Sequence, residues 1–259
     1  MAGNGTLAGR VAVVTGAARD RGIGRGIALA LAERGADVAI NDAGFEGEAA
    51  RRVAELEALG RRSVFVRADV SRPEENQRLV TEAVEQLGRL DVFVANAGVA
   101  RWEPLDEVRR DSWDVITGVN LHGALYGCQA AAERLRSQGD GGRIVITSSV
   151  HAIVPGATLG VYGATKQAID LLVGVMALEW GPDGISVNHV APGWVDTDIN
   201  NASPDFATPA LRAAARESVP LGRRPADPRE IGEAVAYFAE STYTTGAHLR
   251  VDGGLVVGK

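Results

Sequence analysis

The chain holds a single cysteine, Cys128, so no intrachain disulfide can form, and no spacing of cysteines and histidines suggests a metal centre. Lysine is almost as scarce: of 27 basic residues only Lys166 and Lys259 are lysines, the rest being arginines. Positive charge is also in deficit overall, because the formal charge of −6 removes the field that a polyanion partner needs, and no nucleic-acid partner is expected. Long apolar runs are missing. The longest, Leu171 to Leu178, falls well short of the ~20 residues of a membrane-spanning helix, so no membrane partner is expected. Met1 to Arg10 carries Gly, Asn and Thr where an export signal has a basic start and an apolar run. A cytoplasmic location, which suits a reduced Cys128, is the expectation. No internal repeat or low-complexity tract is present.

What is there suits one large α/β domain: 259 residues, 46% hydrophobic and 23% charged. Short β-branched runs start at Val11, Asp37, Ser63, Asp91, Arg143 and Ile185 and end at Thr15, Asn41, Arg67, Ala95, Thr147 and His189. Longer helical patterns separate them. Runs that are apolar on both faces predict a parallel sheet covered on both sides, a doubly wound fold of three layers, α/β/α. Pro73-Glu-Glu opens one helix and Gly88 closes it. Residues 1–6 read as a flexible N-terminus and 7–259 as a single domain. The proline-bearing stretch from Asn200 to Arg224 interrupts the pattern, and it reads as a flap over a substrate, near residues 194–216, or as a surface excursion. In such sheets ligands sit at the carboxyl ends of the strands, so the residues just after each run are the candidates.

After the first run, Thr15-Gly16-Ala17-Ala18-Arg19-Asp20-Arg21-Gly22-Ile23-Gly24 precedes a helical pattern from Arg25 to Glu33. Glycines there let a backbone approach a pyrophosphate at a helix N-terminus, although a plain strand-to-helix turn has the same composition. Asp42, about 20 residues past Gly22, stands where an acid accepts hydrogen bonds from the adenosine ribose. It would repel a 2′-phosphate, so NAD is expected in preference to NADP, while Arg19 and Arg21 pull the other way. Asp69-Val70 and Asn96-Ala97-Gly98 follow the third and fourth runs, and each alone could be a turn.

The fifth run leads to Ser148-Ser149, and Tyr162-Gly-Ala-Thr-Lys166 opens a helical segment beyond it. The i, i+4 spacing puts the phenol and the ammonium on one helix face, where the cation can favour the phenolate and let it exchange protons near neutral pH. With four tyrosines in 259 residues, the one internal lysine falls four after a tyrosine by chance in roughly 4 of 259 placements. A surface Tyr–Lys pair on an amphipathic helix is the bland alternative.

From about Leu7 to Gly254 the chain resembles a short-chain dehydrogenase/reductase of the single-domain type, with the Rossmann fold. The resemblance rests on the Thr15-Gly16 to Gly24 turn, Asp69, Asn96-Ala97-Gly98, Asn120, Ser149, Tyr162, Lys166 and Pro192-Gly193, in the family's order. It implies an enzyme that moves a hydride between a nicotinamide cofactor and a carbonyl or secondary alcohol. The implied tetrad is Asn120, Ser149, Tyr162 and Lys166. Ser149 would hydrogen-bond the substrate oxygen, Tyr162 would pass the proton, Lys166 would bind the nicotinamide ribose and Asn120 would hold a relay water through its backbone. Gly16, Arg21, Gly22, Ile23, Gly24, Asp42, Asp69, Val70, Asn96, Ala97, Gly98, Gly193 and Val195 complete the implied cofactor site, and Thr197 resembles the residue that meets the nicotinamide carboxamide. A homotetramer is implied too, for which the apolar pattern from Ile169 to Trp180 offers a second packing face.

Two departures stand out. Five residues separate Gly16 and Gly22 where the family usually has three, so the turn should bulge and the family's phosphate rules for Arg19 and Arg21 transfer poorly. Ala95 replaces a frequent second asparagine. An enoyl reductase would be expected to show wider tyrosine–lysine spacing, and a sugar-nucleotide epimerase or dehydratase a longer C-terminal part. A catalytically silent dinucleotide-binding regulator is the rival from another class, and the intact Ser149, Tyr162 and Lys166 argue against it. The substrate stays open between a sugar or polyol, a 3-oxoacyl thioester and a simple ketone. Leu159, Trp194 and residues 200–216 are the expected pocket walls, and His151 is a candidate hydrogen-bonding group or a solvated loop histidine.

Overall fold

Strands that are apolar on both faces must be covered from both sides, and in the computed structural model, which describes residues 5–257, seven strands form one parallel sheet. They are β1 (Val11–Val14), β2 (Asp37–Asp42), β3 (Ser63–Arg67), β4 (Val92–Ala95), β5 (Gly142–Thr147), β6 (Ile185–Pro192) and β7 (His248–Val251). The order is β3-β2-β1-β4-β5-β6-β7. Chain direction across the sheet therefore reverses between β1 and β4, and the crevice beyond their carboxyl ends is where such a sheet receives a ligand.

Helices α1 (Ile23–Glu33) and α2 (Glu46–Ala58) cover one face, together with α8 (Pro228–Glu240). The other face is covered by α3 (Pro73–Leu87), α5 (Gly123–Gln138) and α6 (Gly160–Trp180). Between them in the chain lie α4 (Arg110–Thr117) and α7 (Pro209–Glu217). The start and stop signals of α3 act as expected: Pro73 opens it, Glu74 and Glu75 lie in its first turn, and Gly88 ends it in the left-handed conformation at φ 98°. Asp227 and Glu230 cap α8 reciprocally. Helices α1 and α8 cross in contact because both lack a side chain there. A Cβ on Gly26 would lie 2.3 Å from the Pro228 carbonyl oxygen, and one on Gly232 2.3 Å from that of Gly26.

Three elements escaped the sequence pattern. β6 runs on to Pro192 rather than ending at His189. β7 is a four-residue edge strand, His-Leu-Arg-Val, whose residues alternate between exposed and half-buried, so it lacks the two-sided apolar signature of the others. The expected flap contains α7, which buries none of its residues and so shows no apolar run. At the other end, residues 1–4 of the expected flexible N-terminus lie outside the described residues. Beyond them the chain is tied down: the Thr6 hydroxyl bonds to Glu240, and Leu7 is buried, its N–H donating to the Arg34 carbonyl at 2.8 Å.

Candidate active site

At the carboxyl end of β1, Thr15 ties two strands together. Its hydroxyl donates to the Val94 carbonyl at 3.3 Å and accepts from the N–H groups of Asn96 at 2.9 Å and Ala97 at 3.0 Å. The Asn96 amide donates to the carbonyls of Thr15 (2.9 Å) and Gly16 (3.2 Å) and accepts from the Thr147 hydroxyl (3.2 Å). Asn96 thus clips β1, β4 and β5 into one wall, and what it leaves facing outward is main chain. Gly16 is required here twice over, by its φ of +63° and by the 2.8 Å that would separate its Cβ from Ala97 Cα. A Cβ on Gly24 would reach 2.3 Å from the Gly16 carbonyl oxygen.

The N-terminus of α1 has Gly22 as its cap, with no side-chain hydrogen bond and no acid in the first turn. Its orphan N–H groups and the positive end of its dipole are left for an anion. The long turn before it bulges outward onto α2. There the Asp20 N–H donates to Glu48 at 2.9 Å, and the Asp20 carboxylate binds Arg51 at 2.7 Å and Arg52 at 2.8 Å. Arg19 lies over the Phe45 ring at 5.0 Å and 3.7 Å from Asp198. Arg21 pairs with Asp196 at 2.6 Å and approaches Asp198 at 3.8 Å. Both arginines therefore bridge the glycine turn to the segment after β6, and the Asp198 N–H donates to the Arg21 carbonyl as well, at 3.2 Å.

Asp42 ends β2 and accepts from the Ala43 N–H at 3.0 Å. Burial holds its carboxyl above the ordinary range against the pull of the Ala43 and Ala18 N–H groups and of Arg19. Asp69 folds back on its own turn, taking the Ser71 N–H at 3.0 Å and the Ser71 hydroxyl at 2.8 Å. Val70 beside it crowds Gly123, whose Cβ would lie 2.9 Å from Val70 Cγ2.

The chemical groups converge from three elements. Between α4 and α5 the chain takes a π turn, Gly118–His122, of the kind that clusters at functional positions. Asn120 sits in it, buried, and its side chain clamps the exit of β4. It accepts from the Val99 N–H at 2.8 Å and donates to the Val99 carbonyl at 2.9 Å. Ser149 follows β5, and its hydroxyl accepts from the His151 N–H at 3.2 Å. Tyr162 and Lys166 project from the first turns of α6. A Cβ on Gly98 would stand 3.5 Å from Asn120 Oδ1 and 3.7 Å from Lys166 Nζ. The bare glycine thus opens a cradle bounded by both side chains, which fits a ribose and a flat ring as well as the α1 terminus fits a pyrophosphate.

One electrostatic expectation needs correction. The ammonium was expected to lower the tyrosine pKa, yet Lys166 Nζ donates to the Thr147 carbonyl at 2.8 Å and lies 5.6 Å from the Tyr162 ring centroid. Burial pushes the Tyr162 phenol up, and a hydrogen bond with Ser149 only partly offsets that. Burial also pushes Lys166, 4% exposed, down to about 8, with Asp170 opposing the shift. Desolvation is thus the largest cause of both shifts.

After β6 the Gly193 N–H donates to the Val251 carbonyl at 2.9 Å, and Val195 bridges Ala226. Thr197, buried, donates to the Val195 carbonyl at 3.4 Å and accepts from the Asn200 amide at 3.4 Å. Trp194 stacks on Phe206 at 4.9 Å. The His151 ring stands 6.4 Å from that of Tyr162, with its Nδ1 3.1 Å from the Val154 carbonyl oxygen. Sequence reasoning missed Thr147, which anchors Lys166 through its carbonyl and Asn96 through its hydroxyl. It also missed Asp170, to which the Ser148 hydroxyl donates at 2.7 Å. Asp170 lies four residues after Lys166, and that spacing was the available signal.

A family model described as Enoyl-(Acyl carrier protein) reductase matches residues 16–256. An L-rhamnose 1-dehydrogenase (NAD(P)(+)) of Sphingomonas sp. (strain SKA58) is 41% identical over 97% of this chain and 98% of its own. A glucose 1-dehydrogenase of Gluconobacter oxydans (strain 621H) is 36% identical over 97% of this chain and 93% of its own. Among solved structures, carveol dehydrogenase from Mycobacterium avium in complex with NAD superimposes with a TM-score of 0.91 at 34% identity, covering 98% of this chain and 99% of that one.

Proposed function

Because the chain belongs to the short-chain dehydrogenase/reductase family and is an NAD(P)-dependent oxidoreductase acting on CH–OH groups, we propose that it oxidises a hydroxyl of a sugar or polyol, with NAD as the preferred cofactor. The hydrogen bond of Tyr162 with Ser149, with Lys166 one turn on bounding the cradle at Gly98, carries this reading. When bound, the nicotinamide supplies the two-electron chemistry, as hydride acceptor or donor.

This chain's residues do the rest. The N–H groups of Gly22, Ile23 and Gly24 hold the pyrophosphate, with Gly16 and Ala97 letting it come close and Arg21 at its edge. Asp42 takes the adenosine ribose, and Asp69 and Val70 flank the adenine. Asn96 shapes the wall from which Ala97 and Gly98 present main chain. Lys166 holds the nicotinamide ribose, and Gly193, Val195 and Thr197 line the carboxamide. Ser149 orients the substrate oxygen. Tyr162 takes the hydroxyl proton as the carbonyl forms, Lys166 carries charge beside it, and Asn120 holds the chain on which the relay depends.

The sugar assignment rests on the sugar dehydrogenases among the relatives and not on a charged pocket. The four-residue spacing of Tyr162 and Lys166 favours alcohol–carbonyl chemistry over the double-bond reduction named by the family model. The test is a spectrophotometric screen of L-rhamnose, D-glucose and several polyols with NAD+ and NADP+, against reduction of a 3-oxoacyl thioester and simple ketones by NADH. Turnover confined to thioester or ketone overturns the substrate class. No turnover with any, alongside tight NADH binding, would restore the silent regulator.

Residues from Leu7 onward act as one catalytic unit, with the segment 194–216 as flap, in a homotetramer. Support for the assembly comes from α6, whose outer face exposes Leu171 (72%), Val175 and Leu178 (81%). By length and composition this helix could cross a membrane, an 18-residue window within Gly160–Asp183 having mean hydropathy 1.2. Its other face holds Lys166, Ile169, Val173 and Met176 buried against the sheet, so a partner helix fits the exposed face better than lipid does.

A further inference from the structure

We propose that Asp170, His189 and His248 form a binding site for one late first-row divalent cation, with zinc as the reference ion, separate from the substrate and cofactor cleft. The three residues come from three elements. Asp170 lies one turn beyond Lys166 on α6, His189 is on β6, and His248 is its parallel partner on β7. Parallel partners point to the same face of a sheet, here the face on which α6 lies. The ligand atoms of all three lie within 4.8 Å of one another.

The decisive observation is at His189. Its ring is 3% exposed and its Nδ1 stands 2.9 Å from Asp170 Oδ1, yet Nδ1 has no hydrogen-bond partner of acceptable direction. A nitrogen and a carboxylate oxygen that approach this closely without aligning a proton are arranged like two donors to a shared cation. With metal–ligand bonds of about 2.0–2.1 Å, neighbouring donors of an octahedral or tetrahedral ion lie roughly 2.8–3.4 Å apart. The His189 and His248 rings lie 4.4 Å apart at 41°. His248 is exposed on the edge strand, so a small rotation of its ring closes the set and leaves a path for entry.

Two imidazoles and one carboxylate suit zinc, cobalt, nickel or copper rather than magnesium or calcium, which prefer oxygen. The surroundings support that donor set. The Ser148 hydroxyl donates to the same Asp170 oxygen at 2.7 Å, as hydrogen bonds from outside a metal site commonly orient its carboxylates. Arg250, also on β7, pairs with Asp252 at 3.3 Å, so its charge is balanced. No short motif could announce the site, because its members are separated by 18 and 58 intervening residues and only the sheet brings them together. A bound cation would pin the edge strand to the helix that carries Tyr162 and Lys166.

The experiment uses full-length, tag-free protein stripped with a chelator, then titrated with Zn2+ by calorimetry and with Co2+ by visible absorption. One cation per chain is expected. Both His248→Ala and Asp170→Asn should weaken Zn2+ binding at least about tenfold, and the Co2+ ligand-field bands should vanish in His248→Ala. His248→Cys, which keeps a zinc ligand, should restore binding. Unchanged NADH affinity in His248→Ala would show that the fold is intact. Equal Zn2+ affinity in wild type and His248→Ala, or no binding to wild type, overturns the proposal.

Discussion

Burial works against the charged forms of both Tyr162 and Lys166. The phenol is pushed up and the Lys166 ammonium down to about 8. Tyr162→Phe should cut kcat by about 10²–10⁴-fold, the usual contribution of general acid–base catalysis, with NADH affinity nearly unchanged. Lys166→Ala should weaken both, as steady-state kinetics and NADH fluorescence titration would show. Without cofactor, Lys166 also makes stability depend on pH with a definite sign. The unfolded chain keeps that proton to the ordinary lysine value of 10.5, the folded one only to about 8. In that window the unfolded state binds more protons, so stability should rise with pH. The raised Tyr162 value acts oppositely, but only once the unfolded phenol ionises near 10. Urea denaturation from pH 8 to 10 should show the rise in wild type and its loss in Lys166→Met; equal slopes would refute it. At Asp42, substitution by Ala removes the like charge facing a 2′-phosphate, so kcat/KM should shift toward NADP by about tenfold or more.

At the scale of elements, two contacts set where α1 presents its N-terminus. One is the glycine crossing with α8. Gly26→Ala gains about 0.8–1 kcal/mol in helix propensity, yet its Cβ would lie 2.3 Å from a main-chain oxygen that no rotamer change can move. The helices must part, at about 1–3 kcal/mol for overpacking. Net destabilisation in chemical denaturation is expected, and a gain in stability would mean that α1 and α8 slide freely. The other contact is the pairing of Arg19 and Arg21 with Asp196 and Asp198. These groups are substantially exposed, so the pairs contribute little to stability, but they join the glycine turn to the segment after β6. Arg21→Ala should raise KM for NAD several-fold while leaving the denaturation midpoint in place. A shifted midpoint with unchanged KM would make the pairs structural only.

For the whole molecule, one helix has two apolar faces. The inner face of α6 is packed into the core and carries Tyr162 and Lys166, while its outer face leaves Leu171, Val175 and Leu178 uncovered. Leu178→Glu, at 81% exposure, costs the isolated chain little. In a tetramer built through this face it would bury an unpaired charge. Light scattering should show tetrameric wild type and a smaller species for Leu178→Glu. A monomeric wild type at micromolar concentration would reject the assembly.

Much of this was legible in the sequence, because the signals are local. The six two-sided apolar runs, the proline and glycine bounds of α3, the glycine turn and the Tyr162–Lys166 spacing each arise within one or two turns of chain, where sterics and periodicity act directly. Tertiary structure alone decided what depends on distant partners. It turned Asn96 inward as a clip between strands, directed Lys166 to the Thr147 carbonyl, and paired Arg19 and Arg21 with the acids after β6. It also formed β7, whose alternating pattern reads as strand only once β6 supplies its hydrogen bonds. Finally it set Asp170, His189 and His248 side by side. Hydrogen-bond pairing and desolvation are properties of neighbours in space, and the sequence specifies those neighbours only by folding.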